Sequence, residues 1–365
     1  MSSLVKSNNL FILFLFITIN PLFGYFFMGA FLLILVILKP MSMLIYPKGF
    51  IVLFLVVLGL ELFHNIFYVD INIKTFAYYV FCFLLSYVIY RYLKHGNGFD
   101  LIYVENTLFK IATFSLILFL LSSNFSFFIN FAIKYEYGDS YQTFEGFSLL
   151  LTNFLVNDDV ILYRFMGFAS EPAMWAFLLN IFYAIYLKNG GVTIIKSLIY
   201  AYSIFLTFSS LGYLTFLVVN MIHYKKYIPI ILVLSSPIII LAIEFVYENI
   251  LTNNAILKFS YSYLIDRFEP TLESIKLLVA NPFGIGSSGY DYFLDKNLNI
   301  GANDSFTQIG IRYGFFGILI YIYLIFRIGY RNILLLPVFF LTSLTQMIYF
   351  LPITIFFILY STSRQ

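Results

Sequence analysis

Apolar runs separated by short polar breaks fill the sequence from Asn9 to Tyr360. Single helices are predicted over 49–68, 73–92, 107–129, 172–187, 227–247 and 306–326, each near the ~20 residues that a bilayer core requires. Three longer runs, 9–38, 193–222 and 332–361, have room for one tilted helix or two short ones. Each carries a polar or proline break near its middle: Asn20-Pro21, Ser209-Ser210 with Gly212, and Tyr349 to Pro352.

The positive-inside rule arbitrates between these options. Splitting all three runs gives twelve spans with both ends on one side. Lys6, Lys39, Lys48, Arg91, Lys94, Lys110, Lys188, Lys196, Lys225, Lys226, Arg327, Arg331 and Arg364 then share the inner side. Lys74, Lys134, Arg164, Lys258, Arg267, Lys276, Lys296 and Arg312 fall outside. Keeping 9–38 as one helix would send "RYLKHGNG" and "LKNGGVTIIK" outward, against the rule, so the split is preferred. Fourteen of the 18 acidic residues then fall outside, nearly all of them in two long outward-facing loops, 130–171 and 248–305. Long loops in compact chains are usually functional, so any chemistry is expected there. The expected fold is an all-α polytopic integral membrane protein with about 11–12 transmembrane helices. Its segments would be 1–129, the loop 130–171, 172–247, the loop 248–305, and 306–365.

Composition agrees: 61% of residues are hydrophobic, 11% charged, and the mean hydropathy is +0.92. Soluble domains carry about 25% charged residues. No large soluble domain fits, and the opening segment lacks a small-residue cleavage site, so the first helix is expected to stay. Cys82 is the single cysteine, which excludes an intramolecular disulfide. The histidines, His64, His95 and His223, avoid both long loops, which excludes a histidine base or metal site there.

The stretch "YRFMGFASEPAMW", 163–175, puts Arg164 and Glu171 around small residues at the mouth of an apolar run. Pro172 fits the first helical position, so Glu171 occupies or adjoins the N-cap and complements the helix dipole. Arg164 near that helix start suggests an anion site, with an Arg164–Glu171 ion pair as the plainer reading. Upstream, 148–163 reads as an apolar piece lying along the membrane surface. In the second loop, Glu269-Pro270 opens a short amphipathic helix in which Leu272, Ile275, Leu278 and Val279 share a face, and Asn281-Pro282 ends it. Arg267 precedes that helix, where its guanidinium and free N–H groups suit phosphate; pairing with Asp266 or Glu269 is the alternative. "NPFGIGSSG" contains GxGxxG, yet no βαβ unit surrounds it, so it reads as a flexible turn and not a dinucleotide site. Asn303, Asp304 or Ser305 is expected to cap the helix that follows. Arg312, about two turns in, would be a charge within the membrane, a functional candidate with snorkelling as the alternative.

"RFMGFASEPAMWAFLL", "LTFSSLGYLTFLV", "NPFGIGSSGYDYF" and "NDSFTQIGIRYGFFGIL", in this order over roughly 160–330, resemble the bacterial O-antigen polymerase (Wzy type) and O-antigen ligase superfamily. The resemblance implies a GT-C-like, inverting, metal-independent glycosyltransferase in the inner membrane, with its site facing the periplasm and no cofactor. It implies an undecaprenyl diphosphate-linked oligosaccharide as substrate, the lipid bilayer and a chain-length regulator protein as partners, and no nucleic acid. Arg164 and Arg267 match the arginines that hold the diphosphate, Glu171 the acidic residue before proline, and Asn303 the asparagine near the last catalytic helix. Ligases carry histidine just before that asparagine; Ala302 stands here, which favours a polymerase. Glu171 is the first candidate base and Asp304 the second, with Arg312 beside the substrate; Tyr163, Tyr290 and Tyr292 are candidates to stack on sugar faces, with ordinary packing as the plainer reading of each. The rival readings are an O-antigen ligase and a lipid-linked oligosaccharide flippase.

Overall fold

The computed structural model describes residues 2–19, 28–31, 33, 59, 73–95, 99–124, 130–139, 142–149, 152–157, 162–169, 171–225, 272–286, 289, 304–349 and 351–362. These residues are mostly helical. The helices are α1 (Ser2–Ile19), α2 (Ile73–His95), α3 (Leu101–Asn124), α4 (Pro172–Lys188), α5 (Ile194–Phe205), α6 (Ser210–His223), α7 (Ser305–Arg331), α8 (Leu335–Ser343) and α9 (Pro352–Thr362), with a further helical stretch at 272–280. By length and composition, α3 is long and apolar enough to cross a membrane, and so is α7 when its residues are counted end to end. The helices expected over 227–247 and, apart from Gly59, over 49–68 lie outside the described residues.

Helix α4 is the spine. Every residue from Met174 to Leu187 is buried, as befits a helix apolar on all sides. Its few polar groups are used to seat neighbours. Tyr186 meets Thr193 at the start of α5, Tyr183 and Tyr186 pack on Tyr200, and Phe165 N–H, beside the other end of α4, bonds to Leu206 O at 3.0 Å. Helix α5 therefore runs antiparallel to α4. Helix α6 returns along it: Asn180 Nδ2 donates to Gly212 O at 3.2 Å, and the Tyr183 hydroxyl to Asn220 Oδ1 at 2.7 Å. The run 193–222 is thus a helix pair, as the Ser209-Ser210 break predicts, and Ser209 caps α6 by accepting from Gly212 N–H.

The segment expected to lie along the membrane is a sheet instead. Strands β1 (Ile133–Asp139), β2 (Gln142–Leu149), β3 (Thr152–Asn157) and β4 (Leu162–Gly167) form an antiparallel meander in sequence order. Runs this short, rich in Phe, Thr, Tyr and Val, can pair with neighbours but cannot complete a stable helix. The sheet is bolted to the bundle. Ser115 of α3 and Thr152 hydroxyls meet at 2.5 Å, Asn153 Nδ2 donates to Ala169 O at 3.0 Å, and the Phe165 ring lies 5.1 Å from Phe119.

Helix α7 departs most from expectation. It counts 27 residues, but Gly314 has φ 69 and ψ −168, and the chain doubles back there. Phe306 and Tyr321 rings lie 5.6 Å apart, whereas fifteen residues of straight helix would separate their backbones by about 22 Å. A Cβ placed on Gly317 would fall 3.4 Å from Ile309 O, and one on Gly310 would fall 2.9 Å from Ile318 Cδ1. The span expected at 306–326 is therefore two antiparallel arms, 305–313 and 315–331. Helices α8 and α9 run in opposite directions, Phe339 meeting Phe357 and Arg331 lying over the Tyr360 ring, while α9 packs on α2 and α7. That outcome matches the expected break at 349–352.

These directions give the bundle two distinct ends. At one, Lys188 Nζ donates to Arg331 O at 2.8 Å and Lys196 meets the first turns of α3. At the other lie the sheet and the α5–α6 turn.

Candidate functional site

Arg164 is held by a corner built for it. On β4 it pairs with Leu155, and its neighbour Phe165 is fully buried against Phe119 and Trp175. Gly167, with φ 52, then lets the strand pass the Trp175 ring: a Cβ there would fall 2.1 Å from the indole. No other residue type tolerates both conditions. The chain turns into α4 with Glu171 at the N-cap, Trp175 N–H bonding to Glu171 O at 3.0 Å. The Glu171 side chain makes no capping bond. Its expected role as a cap is thus filled by its backbone alone, because Pro172 has already removed one donor from the first turn.

Across from the strand, the α5–α6 turn offers its carbonyls. In an unbroken helix Leu206 O would be satisfied internally; here Phe165 N–H meets it. Arg164 Nη2 donates to Phe208 O at 3.5 Å, a long bond, and its charge lies within range of the Tyr213 phenol. Phe208 has φ 50, a left-handed backbone that a bulky residue seldom adopts. Strain of this kind costs about 1–3 kcal/mol and collects at binding sites. Around it Phe205, Phe208 and Tyr213 form an aromatic shelf, with ring centroids 6.0 Å and 5.8 Å from Phe205. The shelf comes from "FLTFSSLGY", where the double serine after Phe208 marks the break but no single letter marks the strained residue.

The second group lies on the short arm of α7. Asp304 is its N-cap, accepting from Thr307 N–H at 2.7 Å, and four-residue spacing puts Asp304, Gln308 and Arg312 on one face. All three are buried. Ser305 Oγ donates to Gln346 O at 2.6 Å and accepts from Ile348 N–H at 2.9 Å, so the arm begins against the α8–α9 turn, level with Tyr321. Arg312 was expected two turns into a membrane helix. The fold-back reverses the direction of travel: two turns from Asp304 carry Arg312 out to the corner at Gly314.

A strap closes that corner. Breaking α7 at Gly314 leaves Ile311 O and Phe315 N–H without each other; Ile285 N–H donates to the first at 2.8 Å, and Pro282 O accepts from the second at 3.0 Å. A Cβ on Gly284 would fall 2.4 Å from Arg312 O. The "NPFGIG" turn, expected to be flexible, is instead docked.

Among the other expected site residues, Tyr163 belongs to β4 opposite Val156. Arg267, Asn303, Tyr290 and Tyr292 lie outside the described residues. The structure therefore groups Arg164 with Glu171 on one corner, and Asp304 with Arg312 on one arm. Helix α8 packs against α4, α6 and α7, the helices that carry or border these groups.

In comparisons with known proteins, no family model, no curated protein and no solved structure matches the chain.

Proposed function

We propose that the chain is an O-antigen-type repeat-unit polymerase: a polytopic, GT-C-like glycosyltransferase of about 11–12 spans in a bacterial inner membrane, with its site facing the periplasm. It moves a growing glycan from undecaprenyl diphosphate to the non-reducing end of a new lipid-linked unit. One observation carries this reading: Arg164 sits at a strained helix break, beside the exposed Phe205 and the half-buried Phe208 and Tyr213, at the end of the bundle away from Lys188 and Arg331. An arginine there suits an anionic group at headgroup depth, and aromatic faces suit a sugar or an isoprenoid.

The acceptor hydroxyl oxygen attacks the anomeric carbon, and the bond from that carbon to the diphosphate oxygen breaks with inversion. The electron pair leaves with the diphosphate, and the hydroxyl proton passes to a carboxylate. Arg164, joined by Arg267 from the second loop, stabilises the charge that grows on the leaving diphosphate. Glu171, whose carboxylate is not spent on capping, is the base; Asp304, engaged with Thr307, is the weaker choice.

The test is reconstitution with a defined undecaprenyl diphosphate-linked repeat, read by mass. The wild type lengthens the unit without added metal. Arg164→Ala inserts but gives no ladder, and Arg164→Lys retains part of it where charge outweighs bidentate geometry. Normal ladders from both Arg164→Ala and Arg267→Ala would overturn the assignment, and transfer only to lipid A core would make the chain a ligase. A flippase is the second reading, favoured by helix interruptions at 206–209, at Gly314 and at 344–351, because transporters build sites from broken helices. Translocation of the unit with no lengthening would decide for it.

A further inference from the structure

We infer that the helical stretch 272–280 lies in the membrane interface, with its outer face seated in lipid. The observation is a three-way division of a nine-residue helix. Ser274 and Leu278 are buried, and Leu278 Cδ2 would lie 2.9 Å from a Cβ on Gly310, so this face rests on the short arm of α7. Glu273 and Lys276 form an exposed ion pair on a second face. On the third, Leu272, Ile275 and Val279 are exposed at 57%, 44% and 66%. The sequence pattern joins Leu278 to those three; the structure turns it inward and leaves them uncovered.

A helix at the rim of a membrane bundle needs these three faces: protein, water and acyl chain. At about 100° per residue, Leu272, Ile275 and Val279 centre about 100° from the Glu273–Lys276 side, so the two can meet different solvents. The apolar face is also continuous with an apolar surface beyond it. Phe283, 80% exposed, leads into the strap that binds Phe315 N–H, and the long arm of α7 then exposes Phe316, Leu319 and Tyr323 on its outer side. Apolar faces of this type bury about 5–10 Å into the headgroup boundary. Through the strap, the helix fixes the Arg312 corner at that depth, where a lipid-linked substrate arriving in the leaflet would first meet it. This last step rests on the proposed function; the placement in lipid rests only on a membrane setting.

The test needs no activity. Cys82, the single cysteine, is buried; in a Cys82→Ala background, nitroxides are attached at Leu272→Cys, Glu273→Cys, Ile275→Cys, Lys276→Cys and Val279→Cys in liposomes. None of the five side chains is buried, so the labels stay out of the packing. Collision with oxygen, which dissolves in lipid, is compared with collision with a water-soluble nickel chelate. Expected is a several-fold higher oxygen-to-nickel ratio at 272, 275 and 279 than at 273 and 276. Nickel access at all five positions would overturn the inference, and so would immobilised labels with spin–spin coupling between copies, which would assign the face to a second chain. Leu319→Cys and Tyr323→Cys are the reference: lipid readings there with water readings at 272–279 sink this inference alone, whereas water readings at both sink the membrane setting as well.

Discussion

At Gly314 one methyl group meets two obstacles. The residue has φ 69 and ψ −168, a region open essentially to glycine alone, and a Cβ would fall 2.2 Å from Pro282 O. Gly314→Ala is expected to cost at least ~1–3 kcal/mol from the backbone alone, with the clash added. It should lower the melting temperature in detergent and, by loosening the strap, abolish ladder formation. Gly191→Ala is the contrast, because nothing lies within 4 Å of its Cβ and its φ is ordinary. It should stay within about 0.5 kcal/mol of wild type. Equal melting temperatures for the two variants would contradict the tight corner. Residues of this scale are only partly legible in a sequence. Arg164, Glu171 and Asp304 announce themselves as charges beside apolar runs, and Asp304 does cap. Phe208 does not announce itself, because its strain comes from the contact between the α5–α6 turn and β4.

The elements are joined by a few polar contacts, and the buried one between α3 and α5 is open to measurement. Glu105 accepts from Lys196 Nζ and from the Tyr200 hydroxyl at 2.8 Å and 2.7 Å, and its side chain is 2% exposed. Lys196 also lies over the Phe109 and Tyr186 rings, at 4.8 Å and 4.5 Å. Removing one partner strands the other in an apolar setting, so Glu105→Ala or Lys196→Ala should each cost about 3–5 kcal/mol. Replacing both by apolar residues, Glu105→Leu with Lys196→Met, should recover most of that loss. A double-mutant cycle on thermal unfolding reads the coupling, and additive single effects would show that the pair holds nothing together. At this scale the sequence is a good guide where a break is written in proline or serine, as at 209–210 and 352. It misleads at Gly314, because "IRYGFFGIL" keeps an apolar helical pattern through the corner and a lone glycine is tolerated in helices. The sheet was hidden for a different reason: six- to eight-residue strands leave too little periodicity to separate them from an apolar surface segment.

For the whole molecule, the charge pattern and the packing make the same statement by independent routes. Positive charge divides the chain into sides without reference to contacts, and it puts Lys188, Lys196 and Arg331 on the side opposite Arg164. The packing puts Lys188 against Arg331 at one end and Arg164 against Phe208 at the other, without reference to any membrane. A bundle crossing the bilayer with that axis must expose its two ends to different compartments. Asn130, just before β1, and Asn189, just after α4, are both exposed and mark the ends. In the Cys82→Ala background, Asn130→Cys should react with a membrane-impermeant maleimide in cells whose periplasm is open to the reagent, and Asn189→Cys should not. In inverted inner-membrane vesicles the pattern should reverse, since the reagent then meets only the cytoplasmic face. Labelling of both cysteines from one side would mean that the bundle axis does not cross the membrane. Arg164 would then have no outward face on which to meet a lipid-borne diphosphate.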